Sequence, residues 1–436
     1  MDHTTVINTV QEKFNSFEKG LNGEANSLLH KARKGSLESL SKNGFPKGGK
    51  DEEYKYTDLT SPLVKDFIEI LGQTEESKES FEDLIDYDLD ANIVVFVNGQ
   101  FSNELSKIIS PETQIKIASL AKESNSEAIS HSNESGAQAD GFLLLNNAFA
   151  QDGAIITIPR NVTVEKPVVI YYISDATKRK SLVQPRNVFM AEENSEVQII
   201  ESFKSKGTNE NFTNTSTQIK VEKNARVQHA KLQIELDEAY HVGNTQVLQE
   251  DGSTFTNTTI TFGGKSIRNN LDIEIDGSGA EANMFGLFVL NEKQHVDNHT
   301  SVDHKKPHSL SNEFYKGILD DSSEGVFNGK IFVRQDAQKT NAFQSNNNIL
   351  LSDKATINTK PQLEIWADDV KCSHGATTGQ IDENQMFYLR ARGLDKDHAR
   401  AILLHAFAQE VIDKIKIEPL KDFLTKKLEE RLSDEL

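Results

Sequence analysis

Three regimes of hydrophobic spacing divide the chain. Val6, Val10, Phe14 and Phe17 recur at intervals of three and four residues, which places them on one stripe of a helix. Leu28, Leu29, Ala32 and Leu37 continue the trend less regularly, until Asn43-Gly44-Phe45-Pro46-Lys47-Gly48-Gly49 breaks it with turn chemistry. Residues 1–90 are therefore expected to form a helical domain. It contains a compact acidic and aromatic run at 51–59 and an acidic linker at 73–80.

From Ile93 the period shortens. Ile93-Val94-Val95-Phe96-Val97, Ile155-Ile156-Thr157-Ile158 and Val168-Val169-Ile170-Tyr171-Tyr172 are β-branched or aromatic runs of strand length. The Ser-, Glu- and Asn-rich stretch near 107–140 is expected to be a helical excursion between them. Beyond residue 190, polar or glycine-containing breaks recur at gaps of about 13 to 17 residues, each gap holding one or two strand-like runs. A sandwich would turn every 8–12 residues or so, and only Asp251-Gly252 and Asp276-Gly277 offer clear hairpin turns. A flattened parallel β-helix with two breaks per coil of about 28 residues fits better, with the sandwich as the alternative. The expected core is thus mainly β and spans 91–381.

Helical spacing returns at Asp382, which with Gln385 resembles a capping box. A short helix stops at Gly393, and Asp395 opens a second. Ala399, Ile402, Leu403, Phe407 and Val411 lie on one broad face of that second helix. Pro419 opens a third, so 382–436 reads as a C-terminal helical domain.

Composition sharpens this picture. A hydrophobic fraction of 36% against 26% charged residues suits an elongated repetitive fold with a thin core. The net charge of −19 weighs against nucleic acid or an anionic membrane as partner, since both require cations to neutralise phosphates. No apolar run approaches the roughly 18 residues of a membrane span. The first residues lack the basic and apolar regions of a signal peptide. One cysteine in 436 residues adds to the expectation of a reducing cytoplasm.

That cysteine sits in Cys372-Ser373-His374. On a strand, residues i and i+2 share a face, so thiol and imidazole would project together. Both are good ligands for zinc, copper or iron–sulfur species, but a tetrahedral site needs donors that no neighbouring residue supplies. The plainer reading is a buried cysteine beside a polar histidine. A nucleophile–base dyad is disfavoured, because such side chains are rooted about 6–7 Å apart. The stretch 294–308 holds four of the twelve histidines. His295, Asp297 and His299 would share one strand face, as a metal half-site or as a polar ladder on a solenoid surface. Phe387, Leu403, Phe407 and Val411 are candidates for a partner-docking surface, although packing within their own domain would also use them. No glycine-rich phosphate cradle is present.

The run Asp369-Val370-Lys371-Cys372-Ser373-His374-Gly375-Ala376-Thr377-Thr378-Gly379, with Asp382-Glu383 and 387–393 after it, resembles the signature of the SufB/SufD family of iron–sulfur cluster assembly proteins. Glu53-Tyr54-Lys55-Tyr56-Thr57 resembles that family's Glu-Trp-(Lys/Arg)-Tyr-Thr motif, with tyrosine for tryptophan at Tyr54. The resemblance implies a right-handed parallel β-helix flanked by helical ends, and a subunit that is not an enzyme. Its implied partners are SufB and two copies of the ATPase SufC, with SufC on the C-terminal helices. It implies that Cys372 and His374 form a metal half-site completed by SufB, where iron or an iron–sulfur cluster is held only transiently and not by the chain alone. It leaves a flavin and a homodimer open. The long helical head and the shortage of thiols resemble the SufD branch, with a SufB-type scaffold as the alternative. A polysaccharide-active β-helix enzyme, weakened by the absent secretion signal, and a stand-alone metalloenzyme using the histidine run are the remaining classes.

Overall fold

The computed structural model describes residues 3–21, 26–73, 77, 79–87, 89–125, 129 and 139–433. Two 10-stranded sheets run along the body, and the chain alternates between them. Sheet one passes from Asn92–Val97 through Val168–Ala176, Glu196–Gly207, Arg226–Ile234, Thr254–Thr261, Glu281–Leu290, Leu310–Leu319 and Asn341–Leu350 to Lys371–Gly379. Sheet two passes from Ala154–Ile158 through Arg186–Ala191, Asn211–Val221, Ala239–Gln249, Ser266–Ile275, His295–His304 and Glu324–Val333 to Thr356–Ile365. Each strand stacks in parallel on its equivalent one coil later: Val227 stands on Phe255 and Phe255 on Ala282. This unbroken parallel register is a β-solenoid, not the sandwich.

The regular breaks in the sequence are its corners. Asn194, Asn224, Gly252, Gly279, His308 and Lys339 all take positive φ, between 56° and 69°, at equivalent positions of successive coils. The backbone N–H of Asn194 donates to Lys223, that of Asn224 to Asp251, and that of His308 to Gln338, so each corner bonds to the next. Asn and Gly tolerate this left-handed geometry best, which explains their recurrence at the breaks. The side-chain amides of Asn224 and Asn194 extend a second ladder to Asn161.

The head and tail cover opposite outer faces. The helices His3–Gly20, Leu28–Asn43 and Gly141–Phe149 bury Phe14, Leu40 and Phe142 against Phe212 and Val242 of sheet two. The helices Lys396–Ile412 and Glu418–Ser433 bury Leu404, Val411, Leu420 and Leu424 against Leu232, Ile260 and Leu287 of sheet one. Lys204 pins this second contact. Its buried ammonium ion-pairs with Asp86 and lies 4.9, 5.5 and 5.7 Å from the ring centres of Tyr87, Tyr171 and Phe423.

The expected helical excursion near 107–140 reads differently where it is described. Up to residue 125 the chain makes turns and the strand Lys116–Ser119, which pairs antiparallel with Ala154–Ile158. The helix comes later, at Gly141–Phe149, where Asp140 accepts from the backbone N–H of Leu143 as its N-cap. The remainder of that stretch, 126–128 and 130–138, lies outside the described residues. Among the described residues, no helix is long and apolar enough to cross a membrane.

The two ends of the solenoid differ. The first coil meets antiparallel strands at Gln100–Phe101 and Lys116–Ser119. The last coil ends on Thr356–Ile365 and Lys371–Gly379, each bonded to a neighbouring strand on one side only. Phe343, Ile365 and Trp366 are exposed beside them. Pro361, which has no N–H to give, sits in one of these edge strands.

Candidate functional site at the open end

In a parallel stack, register partners point the same way. Cys372 is paired with Ala342, beneath which stand Ser311, Ala282, Phe255 and Val227. It therefore tops an inward, mostly apolar column and packs against Ile331, Val333 and Ala367. His374 is paired with Gln344, beneath which stand Glu313, Met284, Asn257 and His229. It tops a largely polar column. The two residues share a face, as their spacing requires, but they end columns of opposite character.

Cys372 is half-buried, whereas His374 and the rest of its strand are exposed. Burial raises the Cys372 thiol above its ordinary value, against the smaller lowering effect of a backbone hydrogen bond at Ala342. The lone chain thus keeps a protonated thiol at neutral pH, and a bound cation is what would favour the thiolate. Among the described residues, no group of three His, Cys, Asp or Glu side chains is gathered as a metal site. Below the rim, the Glu313 carboxylate accepts from the Thr300 hydroxyl and, at 2.5 Å, from the Gln344 amide. Burial pushes Glu313 up to about 7 in spite of both bonds. The sequence reading missed Glu313 and Gln344; stepping back one coil from His374, and then another, finds both.

His295, Asp297 and His299 do share one outward face, and the head segment is seated on it. Arg268 donates to Asp297 at 2.7 Å and to the Glu53 carbonyl at 2.6 Å, and its guanidinium lies 3.9 Å from the centre of the Tyr54 ring. Thr57 donates to Asp297 at 2.5 Å and lies 2.9 Å from His295 Nε2. Glu53 bridges His299 at 3.3 Å and Lys330, and Glu52 reaches Lys360 at 2.6 Å. The Tyr54 hydroxyl donates to Asp140. Burial would raise the Asp297 carboxyl, but His299 and Arg268 override it and hold it far below the usual range. The hydrogen bond with His299, opposed by burial and aided by Lys330, lowers Glu53 to about 2. A guanidinium already occupies Asp297, so this face works as the seat of the Glu53–Thr57 strap.

The four apolar residues of the tail separate. Val411 is fully buried, and Phe407 packs under the Lys316 ammonium, 4.1 Å from its ring centre. Leu403 is half-buried. Their helix spends this face on sheet one, so Val411 and Phe407 are not a free surface. Phe387 remains, 73% exposed, with Tyr388 and Ile402 exposed as well.

Residues 172–407 match the SufBD core domain of the SUF system of iron–sulfur cluster assembly, and residues 5–170 match the N-terminal region of SufBD proteins. The chain belongs to the SufBD family. Within it the chain is SufD-like: it is 31% identical to the iron–sulfur cluster assembly protein SufD of Escherichia coli (strain K12) over 398 residues, 91% of each chain. A SufBD family protein of Synechocystis is 32% identical over 412 residues, covering 92% of this chain and 90% of the relative. The chloroplastic protein ABCI7 of Arabidopsis thaliana is 32% identical over 422 residues, covering 93% and 87%.

Replacing Arg268 by Ala leaves Asp297 buried without its guanidinium, with the His299 ring still beside it. The expected cost is about 3–5 kcal/mol, read as a lowered thermal midpoint together with faster proteolysis of the head. Glu53 and Asp297 both have folded-state values below the unfolded ones, near 4. Their contribution is therefore complete at neutral pH and is lost as pH falls from about 4 towards 2. Limited proteolysis across that window should release the head of the wild-type chain first.

Proposed function

We propose that this chain is a non-catalytic subunit of a Suf assembly complex, contributing half of a cluster-assembly site at its interface with a SufB partner. The observation that carries this reading is the open end of the solenoid. The only cysteine lies on a terminal strand with a histidine on the same face, no third ligand is gathered there among the described residues, and two strand edges stand unpaired beside exposed Phe343 and Trp366. Unpaired strand edges of this length are templates for another chain, and a partner that adds a coil would bring further donors within reach. Thiolate and imidazole suit iron or an iron–sulfur cluster as cargo, taken up and passed on. The reducing cytoplasm that keeps Cys372 a thiol belongs to the same reading.

The tail supplies the second contact. Phe387 and Tyr388 lie on the helix Glu383–Ala391, which packs on the helix Lys396–Ile412 that carries Ile402, and the three form the apolar surface offered here to the SufC ATPase. Movement of SufC would reach the body through the ion pairs Lys316–Glu410 and Arg400–Asp320.

Cys372→Ser and His374→Ala should each lower the iron retained by the assembled complex by about tenfold or more while leaving assembly itself intact. Iron analysis of the co-purified complex checks this, and unchanged retention in both variants refutes the half-site. Phe387→Glu should weaken capture of SufC by about tenfold in a pull-down, since central aromatics dominate interface energy. Undiminished capture removes the tail from the docking role.

A further inference from the structure

The column beneath His374 ends in an unsatisfied atom. Gln344 is 4% exposed, and its amide Nε2 is committed to Glu313 Oε2 at 2.5 Å. The other oxygen of Glu313 is taken by the Thr300 hydroxyl, so carboxylate and amide hold each other in one orientation. That orientation leaves the side-chain carbonyl oxygen of Gln344, Oε1, buried without a hydrogen-bond partner. A buried acceptor left unmade is costly, and a native core does not keep such a group without cause. The next rung above it is His374, its register partner, whose backbone is about 4.8 Å away and whose side chain projects from the same face. The bond to Glu313 accounts for the amino group of this amide and leaves its carbonyl without a partner. The equivalent position two rungs down is Met284, which fills the same lane without polar atoms.

We propose that Gln344 is a positioning residue for His374: its carbonyl accepts the N–H of one ring nitrogen, fixes the tautomer, and turns the other nitrogen out of the open end toward the cargo. This rests on the reading of Cys372 and His374 as a half-site. Imidazoles that hold metals commonly give their second N–H to a carbonyl or carboxylate, which sets the ring plane and raises the basicity of the ligating nitrogen. Glu313 and Thr300 serve as the clamp that keeps Gln344 from turning its amino group upward instead. In the chain alone His374 is exposed to water, and covering the end by a partner makes the bond with Gln344 the remaining outlet for that N–H. Cys372, on its apolar column, has no comparable support and relies on the cation itself.

The test uses the assembled complex and ferrous iron, with the histidines labelled with nitrogen-15. In the wild type, the ring nitrogens of His374 should report a single tautomer. Gln344→Leu should return them to the mixture of a free imidazole and reduce iron retention by about tenfold. The exchanged pair Gln344→Glu with Glu313→Gln, which keeps the amide–carboxylate bond and an acceptor at that place, should preserve the single tautomer and most of the retention. It also guards against a folding defect in the leucine variant. If Gln344→Leu leaves the His374 tautomer and iron retention unchanged while His374→Ala abolishes retention, the positioning role is overturned and the half-site stands. If His374→Ala retains iron at the wild-type level, the half-site falls and this inference falls with it.

Discussion

Parallel stacking in register is the constraint from which the rest of the molecule follows. Each inward side chain stands on its counterpart one coil earlier, so a residue's environment is set by the column it joins as much as by its neighbours in sequence. The columns must end somewhere, and the last rung has atoms on one side only. In the half-site proposed above, a half-buried cysteine and an exposed histidine, which would be ordinary in mid-solenoid, act as a pair of donors because their strand is the last one. The same argument explains why the other end is quiet. Antiparallel strands at Gln100–Phe101 and Lys116–Ser119 stop the stacking there.

A one-dimensional stack holds itself together only between adjacent coils, and the helical ends add the long-range ties. The strap from Glu52 to Thr57 reaches across the strands that carry Arg268, Asp297, Lys330 and Lys360, so one short segment clamps four successive coils. On the opposite face, Lys204 draws Asp86, Tyr87, Tyr171 and Phe423 around one ammonium and thereby joins the entry segment, sheet one and the last helix. The two clamps differ in chemistry. The strap depends on buried charge pairs, whereas the tail contact is mainly apolar, so acid and salt bear unequally on the two faces.

Much of this was legible in the residues. The breaks at Asn194, Asn224, Asp251 and Ser278 are corners, and left-handed φ at Asn194, Asn224, Gly252 and Gly279, once per coil, gives the physical reason for their recurrence. The helical tail with its Asp382 and Asp395 caps was equally plain. What the pattern could not supply was the partner of each surface. His295, Asp297 and His299 carry no local sign that Arg268 and the Tyr54 segment will fill their face, because those contacts cross more than 200 positions of chain. The apolar face of the second tail helix likewise looks the same whether sheet one or another protein covers it. Strand Lys116–Ser119 was hidden inside a polar, helix-like composition, and pairing with Ala154–Ile158 overrode local propensity. Gln344 and Glu313 escaped notice because nothing near them in sequence is chemical; only the vertical order of rungs connects them to His374.

The half-buried seat of Cys372 has one further consequence. A thiol whose acidity is suppressed is a poor target for peroxide and for disulfide exchange, since the thiolate is the reactive form. In the half-site proposed above, a newly made subunit would keep its single thiol protonated and slow to form sulfenic acid until a companion and a cation favour the thiolate.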